Sequence, residues 1–216
     1  MMRILLLVLL FFSGNVFGQN CINSDFSLGD FTNWQGFTGM NPQSGEGPCC
    51  PYAGIVPGRH TIISSSTTDP NTCNNLTVPP NGQPFCARLG NDDIGAEAEQ
   101  LIYTFSVDAT NSVFIYSYAV VLEDPGHSIT DQPFFSVIVY DSVNTVIDST
   151  CGLYEVYSAS GIQGFQTCNA GYDPVVWKDW TTVGIDLSGH IGQTINIVFT
   201  TFDCALSGHY GYAYIT

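Results

Sequence analysis

The side chains best able to do chemistry lie in a few short stretches of the chain. Glu123-Asp124-Pro125-Gly126-His127 ends a long apolar run in a tight Pro-Gly turn, and Asp203 and His209 lie near the end of the chain. Carboxylates from Glu123, Asp124 and Asp203 would suit calcium, which binds through clustered oxygens. Imidazoles from His60, His127 and His209 would suit a transition metal instead. The same loops can also be held by hydrogen bonds alone, with no ion.

The cations are informative because they are so few. The sequence has 4 Lys and Arg against 19 Asp and Glu, a net charge of -15. Beyond Arg3, only Arg59, Arg88 and Lys178 are positive. In so acidic a chain each is expected to be paired with a buried carboxylate, with Glu123, Asp124 or Asp203 as partner. The alternative is a clamp on an anionic sugar or carboxylate. Arg59, Arg88 and His209 are expected to converge on the acidic turn, so that Asp124 holds a cation.

Flat aromatic side chains offer a second kind of site. Trp34, Trp177 and Trp180, with Tyr52, Tyr154 and Tyr172, could stack on the C–H face of a sugar ring, with amides and acids binding its hydroxyls. Trp180 opens an alternating run and reads as core. Trp34, Trp177 and Tyr172 remain the ligand-binding candidates.

Catalytic patterns are missing. No G-x-S-x-G or H-E-x-x-H occurs. Ser128 beside His127 is adjacency in sequence and does not make a triad. Glu97 and Glu99 would share one strand face, either as a glycosidase-type carboxylate pair or as part of a solvated acidic surface.

The elements that must position these groups read as strands. Leu101, Tyr103, Phe105 and Val107 alternate with Ile102, Thr104 and Ser106, a period of two. Residues 112–122 carry apolar groups on both faces and predict a central strand covered on each side. Runs at 60–65, 85–89, 133–140, 180–187, 194–202 and 210–215 are further strands. Residues 133–140 and 145–148 read as a hairpin around Asp141-Ser142-Val143-Asn144. Residues 19–58 are turn-rich, and residues 66–83 form a polar loop. No segment of twelve or more residues shows a helical period. With aromatics at 13% and charged residues at only 11%, an all-helical fold is excluded. Irregular turn spacing predicts an all-β, antiparallel β-sandwich of jelly-roll type.

The compartment is legible too. Arg3 precedes the apolar run at 4–12, too short to span a bilayer, and Val16-Phe17-Gly18 resembles a cleavage site. Residues 1–18 are therefore read as a signal peptide and residues 19–216 as a single domain. Eight cysteines in an exported chain predict disulfide staples. Cys151 and Cys168 flank a Gly-containing loop and are expected to pair. Cys49 and Cys50 are expected to bond different partners, because a bridge between neighbours is strained. So few cations exclude nucleic acid and anionic membrane as partners. No membrane insertion is expected once the signal is removed.

Several blocks resemble known modules. Cys21-Ile22-Asn23-Ser24-Asp25-Phe26-Ser27-Leu28-Gly29-Asp30-Phe31, followed by Trp34, is similar to the opening of jelly-roll carbohydrate-binding (galactose-binding-like) and MAM-type modules. Residues 180–188, 192–199 and 211–215 are similar to their C-terminal half. A narrower set is Arg59-His60-Thr61-Ile62, Arg88-Leu89-Gly90-Asn91, residues 119–127 and 132–135, Lys178-Asp179-Trp180 and residues 203–214. It resembles the N-terminal β-sandwich module of large secreted surface proteins of gliding bacteria. Those proteins carry PKD-type repeats and a sorting domain for type IX secretion. The resemblance implies a surface location and a longer protein, of which this chain would be the N-terminal part.

The leading expectation is a secreted or cell-surface, non-catalytic adhesion or ligand-binding module whose partner is an extracellular glycan or surface protein. A structural spacer is the alternative, and a carbohydrate-active hydrolase is third. Calcium is the leading cofactor expectation, with a histidine-bound transition metal as the alternative.

Overall fold

The computed structural model describes residues 21–147, 152–169 and 171–216. The expected signal peptide at 1–18, its cleavage point and Cys151 lie outside the described residues.

Fourteen strands run in chain order. They are β1 (Trp34–Met40), β2 (Tyr52–Ala53), β3 (His60–Ile63), β4 (Thr67–Thr68), β5 (Thr77–Val78), β6 (Cys86–Leu89) and β7 (Glu97–Ser106). Then come β8 (Val113–Glu123), β9 (Phe134–Asp141), β10 (Leu153–Tyr157), β11 (Gln166–Cys168), β12 (Val175–Asp186), β13 (Thr194–Phe202) and β14 (Gly211–Ile215). Among the described residues, twelve of them build two six-stranded sheets, and β4 and β5 pair as a separate two-stranded sheet. The first has the order β10-β9-β13-β7-β1-β2 and the second β11-β12-β8-β14-β6-β3, all paired antiparallel.

Successive long strands alternate between sheets, from β6 to β7 to β8 to β9 and again from β12 to β13 to β14. The runs β6-β14-β8-β12 and β7-β13-β9-β10 face each other, which is jelly-roll connectivity. The alternation predicted from sequence drives this packing. Leu101, Tyr103 and Phe105 of β7, Phe135, Val137 and Val139 of β9, and Ile195, Ile197 and Phe199 of β13 point into the space between the sheets. They meet Phe114, Tyr116, Tyr118, Val120 and Leu122 of β8 there.

A second apolar cluster lies on the outer face of the second sheet. Ala119 and Val121 of β8, Val175 and Trp177 of β12, and Tyr212 and Tyr214 of β14 are covered by Leu76 and Val78. The polar loop at 66–83 is thus a lid on that sheet. Its Asp69 is buried and accepts hydrogen bonds from the hydroxyls of Tyr212 (2.9 Å) and Tyr214 (2.8 Å). Trp180 Nε1 donates to the Thr77 carbonyl at 2.8 Å.

Several expectations change. Cys168 pairs with Cys73 of the lid, Cα–Cα 5.6 Å, and not with Cys151. The lid carries a half-cystine to β11, which loop spacing along the chain does not reveal. Cys49 and Cys50 bond each other, while Cys21, Cys86 and Cys204 are free. The central strand β8 is covered on both faces only along its C-terminal half, since Val113 and Ile115 are 58% and 65% exposed. The expected hairpin around 141–144 does close, with an antiparallel Tyr140–Val146 bridge and a bond from the Asp141 amide to the Thr145 carbonyl at 2.9 Å, and β10 adds further pairing to the same edge of β9. The turn-rich N-terminal region holds β1, seven residues paired along β7.

Candidate functional site

Among the described residues no lid covers the outer face of the first sheet, which forms an open groove of about 640 Å³. Its floor follows from strand register. One row across four strands reads Gln35 (β1), Ile102 (β7), Val198 (β13) and Ile138 (β9). The next row reads Thr104, Asn196 and Tyr140, with Asn144 from the turn after β9 beside it. On the other side Gln100 stands opposite Thr200. An apolar strip is therefore flanked by amides and hydroxyls.

Two internal hydrogen bonds orient the polar groups. Thr104 Oγ1 donates to Asn196 Oδ1 at 2.7 Å, which turns the Asn196 NH₂ outward as a donor. Gln100 Nε2 donates to Thr200 Oγ1 at 3.1 Å, which leaves its carbonyl oxygen as an acceptor. Among the described residues, no hydrogen bond engages the Gln35 amide or the Tyr140 hydroxyl. No charged side chain lines the groove, although the chain has a net charge of -15. Such a surface can bind a neutral, hydroxyl-rich ligand that has one apolar face.

None of the ligand-binding candidates from sequence lines this groove. Trp34 is 6% exposed, stacks on Phe26 at 4.5 Å, and donates from Nε1 to the Asn23 carbonyl. It closes the end of the core, because the acidic-aromatic opening segment folds over it. Trp177 is 2% exposed beneath the lid. Both are corrections, since a large aromatic on an alternating strand gains more from burial than from a sugar. Tyr172 is fully exposed, in the segment between β11 and β12.

Arg59 and Arg88 are paired, but with other partners than expected, and Lys178 lies over the Phe165 ring, 5.7 Å from its centroid. Arg59 Nε donates to Glu99 at 2.7 Å and lies 3.5 Å from Glu97, and its Nη2 donates to the carbonyls of Gly39 and Ala98. Glu99 is 1% exposed and also accepts from Thr201 Oγ1. Glu97 accepts from Asn91 Nδ2. Both carboxylates are thus engaged in a network around Arg59, and they neither face each other across a cleft nor form a solvated surface. Arg88 lies 3.9 Å from Asp92 and packs over the Tyr212 ring.

The acidic turn holds no calcium-type cluster. Asp203 is buried, and its two oxygens accept from the amides of Gly211 and Glu97 at 3.1 Å each. Asp124 accepts from Gln132 Nε2 at 2.9 Å and from the Gly126 amide, so its partner is an amide and not a cation. Glu123, Asp124 and Asp203 do not come together as ligands among the described residues. Burial pushes the Asp203 carboxyl up to about 8 and Glu99 up to about 7. His60 is buried, with Nδ1 accepting from Val56 N and Nε2 on the Gln100 carbonyl, so it has no lone pair for a metal. His127 and His209 do meet, with ring centroids 5.1 Å apart.

The groove has a faint sequence signature. The outward positions of the runs at 97–106 and 194–202 hold Gln, Thr, Ile, Asn and Val where a solvated strand normally holds Lys or Glu. Alternation identifies such positions on each strand but does not say which strands lie side by side.

No protein-family model and no curated protein matches the sequence. Solved structures do match. The chain aligns with a family 61 carbohydrate-binding module in complex with β-1,4-galactotriose at a TM-score of 0.43 and 10% identity, covering 90% of this chain and 91% of that one. It also aligns with the family 11 module of a Clostridium thermocellum cellulosomal cellulase (TM-score 0.30, 10% identity, 85% and 84% covered). A third match is the bacteriophage CBA120 tailspike protein 4 (TM-score 0.40, 9% identity, 89% and 20% covered).

Proposed function

We propose that this chain is a non-catalytic module of the extracellular space or cell surface that binds neutral glycans along the groove of the first sheet. The observation that carries the reading is the uncharged groove lining, an apolar strip between Gln35, Gln100 and Asn196, on an outer face that no described segment covers. Sugar hydroxyls suit outward amides, and the strip of Ile102, Val198 and Ile138 suits the C–H face of a pyranose. Disulfides support an oxidising compartment, and the resemblance of several motif blocks to those of gliding-bacterial surface proteins supports display at the cell surface. Engagement of Glu97 and Glu99 with Arg59 supports a non-catalytic role.

Affinity electrophoresis of the protein through gels containing neutral β-glucans, galactans, mannans or xylans tests this. Retardation by at least one polymer is expected. Asn196→Ala or Gln100→Ala should weaken it about tenfold, as loss of one net hydrogen bond implies, with the melting temperature nearly unchanged. Mobility indifferent to every polymer would favour the spacer reading.

A further inference from the structure

At one end of the sandwich the chain crosses between sheets twice, from β8 to β9 and from β13 to β14. His127 lies on the first crossover, and Cys204 and His209 lie on the second. We propose that these three side chains form a binding site for one transition-metal ion of the zinc class, with two imidazoles and one thiolate as donors.

The geometry is close to that of a ligated site. One donor atom from each residue lies within 4.8 Å of the others. Cys204 is fully buried and in no disulfide. Its Sγ is 3.3 Å from His209 Nδ1. A tetrahedral zinc with bonds of about 2.0–2.1 Å to nitrogen and about 2.3 Å to sulfur sets those two atoms about 3.5 Å apart. The ion therefore fits between them with little movement.

The tautomer is set from outside the site. His209 Nε2 is 3.0 Å from Asp173 Oδ2, and a carboxylate can only accept, so Nε2 carries the hydrogen. Nδ1 then presents its lone pair toward Cys204. A carboxylate behind a ligating histidine is the usual support of a metal site, because it orients the ring and makes it a better donor. His127 Nδ1 is buried with no hydrogen-bond partner, an unmet acceptor or donor that a metal would satisfy. The Gly208 amide points at Sγ from 3.4 Å, which favours the thiolate. The sulfur and nitrogen donors select a borderline-soft cation over calcium. Three protein donors leave the fourth tetrahedral position to water or an external ligand. An ion here would clip the two crossovers together.

Metal-free protein, purified without oxidant, is titrated with zinc against a chromophoric chelator and separately with cobalt(II). One equivalent is expected to bind, and the cobalt form should show a thiolate charge-transfer band in the near ultraviolet. Cys204→Ser should abolish that band. His127→Gln, on a partly exposed loop, should weaken zinc at least about tenfold, and Asp173→Asn by about 10–100-fold, while each keeps the metal-free melting temperature. Wild-type protein that binds no stoichiometric metal would overturn the proposal. So would a band that survives Cys204→Ser, or peptide mapping that finds Cys204 in a disulfide.

Discussion

Arg59 shows how a single side chain can hold several strands. Its guanidinium reaches the buried Glu99 of β7 and the carbonyls of Gly39 on β1 and Ala98 on β7. Removing it strands a buried carboxylate, and the penalty depends on whether that carboxylate is ionised. Arg59→Met should cost about 3 kcal/mol at about pH 8, where the ionised Glu99 of the wild type loses its counter-ion and must stay buried unpaired or take up a proton. It should cost much less near pH 5, where burial keeps Glu99 protonated. Urea unfolding at the two pH values checks this, and an equal loss at both would show that the arginine acts through packing and its two carbonyl bonds, not through the charge of Glu99. Asp203 gives a second titration. Its carboxyl is raised from 3.8 to about 8, mainly by burial and then by Glu99. The folded state thus binds more protons than the unfolded state across that window. The stability from Asp203 is complete below the lower value and is lost as pH rises through the upper one. His60, lowered by burial, acts oppositely and only toward acid. The denaturation midpoint should therefore fall between about pH 6 and about pH 8.5, and Asp203→Asn should flatten that slope. A midpoint that rises with pH in the wild type would mean that the two backbone amides outweigh burial.

At the scale of elements, the lid over the second sheet is the unexpected part. Residues 66–83 contain two-stranded β4–β5 and a short 3₁₀ turn, Pro70–Thr72, capped by Asp69. So short an excursion buries little by itself. It is held by the Cys73–Cys168 bridge, by Asp69 beneath Tyr212 and Tyr214, and by Leu76 and Val78 packed near Trp177. Cys73→Ala with Cys168→Ala should lower stability by roughly 2–5 kcal/mol, since the bridge spans 95 residues of sequence. Limited proteolysis of that double variant should cut first within 66–83. If the cuts fall elsewhere and the loss is negligible, the apolar contacts hold the lid without the bridge. Strand β12 shows a similar dependence on context. The run after Pro174 is Val175-Val176-Trp177, and Lys178-Asp179 looks like its end. The strand continues through a register shift between Lys178 and Thr181, so β12 pairs with β8 over nearly its whole length.

For the whole molecule, the two outer faces have opposite fates. The second sheet turns Trp177, Tyr212 and Val121 outward and must cover them, because exposed patches of that size are unfavourable in water. The first sheet turns out amides, hydroxyls and three aliphatic side chains, and it can stay open. That asymmetry is what leaves one face free for a ligand. Much of this architecture was written in the sequence. Period-two alternation in residues 101–107 marks that strand and its two faces, the apolar runs at 133–140 and 194–202 mark two more strands, and composition excludes an all-helical fold. Those signals are local, because each side chain's facing depends only on its parity along the strand. The sites depend on neighbours that parity cannot supply. Asn196, Tyr140 and Thr104 become one row only when β9, β13 and β7 lie side by side in one register. Glu99 meets Arg59 across 40 residues, and Cys73 meets Cys168 across 95. Burial of Trp34 and Trp177 likewise follows from which segment folds over each. Such pairings are decided by the free energy of closing a particular core, a property of the whole chain and of no segment within it.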